Sequence, residues 1–260
     1  MNIIELSKLI QSESDGEEYL RKVGILKTYT NCPKCNSTRI GRIRRNKIRC
    51  YSCKYEWNIR KGSVLEGMII ENSKFIACVK MFELGIPVTY CVWELNIANE
   101  TAVWTYQTIR KCLAGIKVEK DSRLGNAIFD KNTNSKILIR SSNNKVEVVW
   151  NFVENKEKLS EWAVISTKRL TNEQNQITYT YSYKHNRNFI KDKVKTYDLT
   201  DRFWSFAKPK LKNLAISKFE DLYLYLKELE FRFNNRNQAT FEFIIEELSQ
   251  NSQVADCLMG

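Results

Sequence analysis

The sequence predicts a mixed α/β fold on three observations. Apolar residues recur at helical spacing over most of the first 113 residues, a cysteine-paired basic insert interrupts that stretch, and strand-like alternation closed by two helices follows residue 115. At 260 residues and 30.6 kDa the chain has room for one large domain or two to three small ones. Apolar residues make up 43% and charged residues 28%, with nine Gly and three Pro, which excludes collagen-like, low-complexity and linker-rich classes. No run approaches the roughly 18 to 20 unbroken apolar residues of a membrane span, and the first segment lacks a basic start followed by an apolar block. A membrane partner and secretion are therefore not expected. The expected location is intracellular: the nucleus in a eukaryote, the cytoplasm and nucleoid in a bacterium.

Taken in order, residues 1–27 form a helical segment. Ile3, Ile4, Leu6, Leu9 and Ile10 make one apolar stripe, and Asp15-Gly16-Glu17-Glu18 has the composition of a cap that opens a second short helix. A cysteine-paired basic module occupies 28–67. Residues 73–113 turn helical again, with Phe75, Val79, Met81 and Phe82 first, then 88–95 and 100–112, broken at Gly85-Ile86-Pro87 and at residues 96–99. From 116 to 250 the expected strands are 116–119, 137–140, 146–153, 163–166 and 177–183. Two helices close the domain, the second opening with Ser217 and Glu220 at capping-box spacing and carrying Phe219, Leu222, Tyr223, Leu226 and Phe233 on one face.

Charge and cysteine spacing carry the chemistry. Forty-two Lys and Arg against 30 Asp and Glu give +12, a field that favours polyanions. Ten of those cations (Lys34, Arg39, Arg42, Arg44, Arg45, Lys47, Arg49, Lys54, Arg60, Lys61) fall between Cys32 and Gly62 beside a single acid, Glu56. The clustering marks a phosphate-contact surface, for which Arg39, Arg42, Arg44, Arg45, Lys47 and Arg49 are the candidates. Within the same stretch Cys32-Pro33-Lys34-Cys35 and Cys50-Tyr51-Ser52-Cys53 form two knuckles fourteen residues apart. Each gap of two lets a tight turn aim two thiolates at one ion, and four complete the closed tetrahedron of a structural Zn2+ site. Strands over 39–44 and 47–50, turned at Arg45-Asn46, complete a zinc ribbon on which Trp57 packs. The alternative is a disulfide-bonded secreted module, which the absent leader disfavours. Cys78, Cys91 and Cys112 sit within helical stripes and are expected as buried free thiols.

Residues 88–95, the turn 96–99 and residues 100–112 have the lengths of a helix-turn-helix. Its second helix offers Thr101, Thr105, Gln107, Thr108, Arg110 and Lys111 to a groove, with Trp93, Leu95, Ile97, Val103 and Ile109 as its core. The alternative at this point is a plain three-helix core.

A zinc ribbon, a helix-turn-helix and a strand-rich domain in this order resemble the Merlin-type cut-and-paste transposases and their bacterial insertion-sequence relatives. The resemblance spans nearly the whole chain. It is most specific over residues 32–67; at Val118-Glu119-Lys120-Asp121 with Leu124-Gly125; over 145–150; at Lys184-His185-Asn186; and over Asp201-Arg202-Phe203-Trp204-Ser205 through Lys208 to Glu230-Phe231-Arg232-Phe233-Asn234. It implies an α/β, ribonuclease-H-like domain over 116–250 whose three acids hold two divalent metals, Mg2+ or Mn2+, for phosphodiester cleavage and strand transfer. By that resemblance the first acid falls on Asp121, the third on Asp201, and His185 is a supporting position. The second falls on Thr167, a neutral hydroxyl that hard divalent cations do not accept in place of a carboxylate. The nearest acids, Glu161 and Glu173, stand off the position.

The expected function is therefore double-stranded DNA binding by a transposase-related chain with impaired cleavage. Two rivals stay open: an active metal-dependent transposase in which another acid replaces Thr167, and a zinc-ribbon module that recruits protein or RNA. A homo-oligomer is compatible with the sequence, which does not specify one.

Overall fold

The computed structural model describes residues 1–44, 46–115, 135–152, 163–171, 177–185, 199–212 and 219–254. The chain divides into two compact units, Met1–Arg123 with Ala239–Gly260, and Leu124–Gln238.

In the first unit, helix α1 (Ile3–Leu9) starts at a reciprocal cap. The Asn2 side chain accepts from the Glu5 N–H at 2.9 Å, and the Glu5 carboxylate accepts from the Asn2 N–H at 2.9 Å. Of the predicted stripe only Leu6 is buried, whereas Ile3 and Ile4 are 63% and 71% exposed. Helix α2 (Glu13–Lys22) is capped by Ser12, three residues before the expected Asp15, so Asp15–Glu18 lies inside the helix. Gly16 is required there by close packing: a Cβ on it would stand 2.8 Å from the Ser73 nitrogen.

Strands β1 (Ile40–Ile43), β2 (Lys47–Cys50) and β3 (Glu56–Asn58) form a three-stranded antiparallel sheet in that order. The expected turn residue Arg45 lies outside the described residues, while Asn46 supplies the positive φ that the turn needs, 54°. The third strand, too short to show a period, places Trp57 opposite Ile48 in a small core with Cys32, Cys50 and Ile59.

Helices α3 (Asn72–Glu83), α4 (Val88–Leu95) and α5 (Asn99–Leu113) make the tri-helical arrangement. Asn96, left-handed at φ 47°, ends α4 and turns the chain into α5. The core consists of Phe75, Ile76, Val79, Phe82, Cys91, Ala102, Tyr106, Ile109 and Cys112. Trp93, expected in it, is instead 77% exposed. A last helix, α8 (Phe241–Val254), packs on α3 and α5 through Phe241, Ile244 and Leu248. The Glu83 carboxylate accepts from the Thr240 and Phe241 N–H groups at its first turn. The boundary thus differs from the sequence expectation, which kept residues up to 250 with the α/β domain: α8 buries its stripe on the helical unit.

The second unit holds strands β4 (Ser135–Ser142), β5 (Lys145–Phe152), β6 (Ala163–Thr171) and β7 (Ile177–His185), ordered β5-β4-β6-β7 with every described pairing antiparallel. Asn143 and Asn144, both at positive φ, form the two-residue turn between β4 and β5. Ile137, Ile139, Val146 and Val148 alternate onto one face. Helix α6 (Leu199–Lys212) covers them with Phe203, Ala207 and Leu211, and helix α7 (Phe219–Asn234) with Leu222, Leu226, Leu229 and Phe233. A mixed α/β body is therefore present; the described strands alone do not show a ribonuclease-H-like fold. The expected strand 116–119 and the Ser217 cap lie outside the described residues.

Candidate metal centre and nucleic-acid interface

The two knuckles repeat one backbone design. The Asn36 N–H donates to the Cys32 carbonyl at 2.9 Å and the Lys54 N–H to the Cys50 carbonyl at 3.0 Å. Both residues sit at positive φ, 55° and 61°. The turns so formed point N–H groups at sulfur: Lys34 to Cys32 Sγ at 3.4 Å, and Cys53 to Cys50 Sγ at 3.5 Å. The four Sγ atoms of Cys32, Cys35, Cys50 and Cys53 all lie within 4.8 Å of one another. Two contacts between the knuckles, Cys32 to Cys53 and Cys35 to Cys50, are 3.6 Å. A tetrahedral Zn2+ with Zn–S bonds of about 2.3 Å sets its sulfurs about 3.8 Å apart, so the cluster fits that ion. All four are free thiols, which removes the disulfide alternative.

The acid–base state of the cluster points the same way. The Cys53 and Ser52 N–H groups hold the Cys50 thiol down at about 6. At Cys35 the Ser37 N–H lowers the pKa, but the Cys53 thiol, burial and the Cys50 and Cys32 thiols outweigh it and lift the group to about 12. Four sulfurs this close cannot all ionise without a cation among them. The cluster could hold a structural Zn2+, and a closed set of four thiolates leaves no coordination position for catalysis.

The ten cations of this module do not share one role. Arg60 is buried, donating to the Met68 and Ile70 carbonyls at 3.0 and 2.6 Å and to the Asn72 side chain at 2.8 Å. Arg42 is exposed but paired at 2.9 Å with Glu17, and Arg49 faces Glu56 at 3.7 Å. Lys61 lies over the Tyr55 ring. Lys34, Arg39, Arg44, Lys47 and Lys54 are exposed and carry no ion pair among the described residues. Arg45 lies outside them.

On α5 the sequence candidates also separate. Thr105 is fully buried, its hydroxyl donating to the Thr101 carbonyl at 2.8 Å, so it presents no side chain to a groove; Thr108 is also buried, at the floor of a concavity on this helix. Arg110 lies against the Phe82 and Tyr106 rings, 6.0 Å from each centroid. Gln107 and Lys111 line that open concavity of about 480 Å³ with Glu100, Thr101, Trp104 and Ile69. Trp104 and Ile69 escaped the sequence argument because a lone Trp at a helical position and an isolated Ile give the pattern of core residues.

The proposed acidic trio is not assembled among the described residues. Asp121 lies outside them. Thr167 pairs with Tyr181 in the interior of β6, and His185 pairs with Ala163, four residues away along the same strand. At about 3.3 Å per residue their backbone positions are about 13 Å apart. Asp201 is half-buried in the first turn of α6, where its carbonyl accepts from the Ser205 hydroxyl.

Compared with known proteins, the chain matches no family model, no curated protein and no solved structure. No helix among the described residues is long and apolar enough to cross a membrane.

Proposed function

We propose that this chain binds duplex DNA through its zinc-ribbon-like module and the outer face of α5. The observation that carries the reading is the set of five exposed cations without an ion pair among the described residues, Lys34, Arg39, Arg44, Lys47 and Lys54, on a module built around the four-cysteine cluster. Phosphates attract such a surface without regard to sequence. Gln107 and Lys111, on the second helix of a helix-turn-helix outline in the same compact unit, supply groups able to contact base edges.

The transposase resemblance extends the proposal to the second unit as a ribonuclease-H-like body with its cleavage site incomplete. Thr167 supports this part of the reading, because a neutral hydroxyl at the second acid position leaves two carboxylates where two metals require more charge. Titrating a labelled 30-base-pair duplex with the zinc-loaded chain tests the DNA proposal. Five phosphate contacts predict a slope of log affinity against log salt of about −4 to −5. Absence of duplex binding at low salt, or a slope near zero, would overturn it. Supplying Mg2+ or Mn2+ should produce no nicking; nicking that disappears in Asp121→Ala would overturn the loss of cleavage.

A further inference from the structure

The outer face of α5 is recessed, and part of its wall is held from outside the helix. Arg60 donates to the Met68 and Ile70 carbonyls at 3.0 and 2.6 Å, pinning both flanks of Ile69, which is 87% exposed. Gly67, at φ 84°, lets the same segment pass close to Trp104, since a Cβ there would stand 3.3 Å from the indole. The concavity of about 480 Å³ has Ile69, Val103 and Trp104 as its apolar wall, with Glu100, Gln107 and Lys111 as its polar lining. At the floor Thr108 is 1% exposed, and its hydroxyl has no hydrogen-bond partner among the described residues. A buried hydroxyl left unpaired costs about 1 to 3 kcal/mol, which a ligand atom that pairs with it offsets.

We propose that this concavity takes a single unpaired nucleobase of the bound DNA. The inference rests on the DNA-binding reading and adds which part of the nucleic acid this face receives. Three observations select a base. The groove of paired DNA admits a protruding helix, whereas this face of α5 is hollow. Its apolar and aromatic wall suits a planar ring, while the Thr108 hydroxyl and the Gln107 amide offer both donor and acceptor to the edge of that ring. The two charges of the lining, Glu100 and Lys111, cancel and stand about 16 Å apart along the helix axis. A run of phosphates therefore gains nothing inside the hollow, and Lys111 is left for the one phosphate beside the base.

Anisotropy titration of the full zinc-loaded chain tests this with three labelled DNAs: a matched duplex, the same duplex with one bulged adenine, and the same bulge carrying an abasic nucleotide. The bulged adenine should bind about 5- to 150-fold tighter than the matched duplex, the range that one base–aromatic stack contributes. The abasic bulge keeps the flexibility, lacks the base and should show no such gain. Thr108→Val keeps the side-chain shape and removes the hydroxyl, so the chain should be as stable or more stable in urea and yet lose most of the preference. A threonine with only a structural role gives no such split. Ile69→Ser, at the exposed wall, should lower the preference as well. Free adenosine should bind far more weakly than the bulged duplex; tighter binding of the nucleoside would assign the hollow to a soluble heterocycle and overturn the DNA source. Equal affinity for bulged and matched duplexes, or a preference shared by the abasic bulge or kept by Thr108→Val, would overturn this inference and leave the DNA reading standing. Binding of none of the three DNAs would overturn the DNA reading and this one with it.

Discussion

Arg60 belongs by sequence to the basic cluster and by structure to the interior, and replacing it separates the two roles. Its guanidinium donates to two main-chain carbonyls and one side-chain amide oxygen within residues 68–72, tying the end of the metal module to the start of α3. Arg60→Ala leaves those acceptors buried without donors. Hydrogen bonds from a charged donor contribute about 1.5 to 3 kcal/mol each, partly recovered by water, so a loss of about 3 to 5 kcal/mol is expected. For a protein of this size that corresponds to a fall in melting temperature of about 10 °C. Arg60→Lys, whose compact ammonium cannot span the same fork, should lose about half as much. Urea denaturation followed by circular dichroism measures the stability, and duplex binding at a temperature where each variant is folded measures the contact. Stability should fall and affinity should not. Unchanged stability with weakened DNA binding would refute the assignment of Arg60 as a clamp.

Three further outcomes follow from particular contacts. Lys47→Ala should reduce the salt slope of DNA binding by about 1 without changing stability, measured by anisotropy across a salt series; Thr105→Ser, inside the fold, should leave the slope unchanged. Burial pushes the Glu17 carboxyl up, but the Arg42 and Arg21 guanidiniums outweigh it and hold the group below its ordinary 4.5. Its stabilising contribution is therefore complete above pH 4.5 and lost as pH falls through the lowered value. With Arg42 half-exposed, Glu17→Gln should cost about 1 kcal/mol at neutral pH and flatten the acid limb of a stability–pH curve. Asn234 in α7 pairs with the Val146 N–H at 2.9 Å and its carbonyl at 2.8 Å, closing part of the open edge of β5, so Asn234→Ala should destabilise the second unit by about 1 to 3 kcal/mol in urea melts.

Where the sequence carries a local code, the fold follows it. The paired Cys-x-x-Cys turns define the metal cluster because each is complete within a few residues, and the stripes of α3 and α7 largely match their buried faces. Long-range outcomes were not legible. Trp93 has the composition of a core residue, but the core of α4 is filled by Cys91 while Trp93 turns outward. The sequence reading closes the α/β domain with two helices and gives none over 241–254, and packing on α3 and α5 is what assigns α8 to the helical unit. The basic cluster concealed its own division of labour, since Arg42 and Arg60 meet an acid and carbonyls from outside the cluster while Arg49 faces the cluster's own Glu56. Thr105 on α5 has the spacing of a groove residue, yet its burial follows from the side on which α5 meets its neighbours.

Duplex affinity measured on the same sample with zinc bound, after chelation and after zinc is restored, bears most directly on the claim that a cation held by Cys32, Cys35, Cys50 and Cys53 shapes the DNA-binding surface. Affinity should collapse with the loss of one equivalent of zinc and return with it. Undiminished binding by protein shown to be metal-free would contradict it.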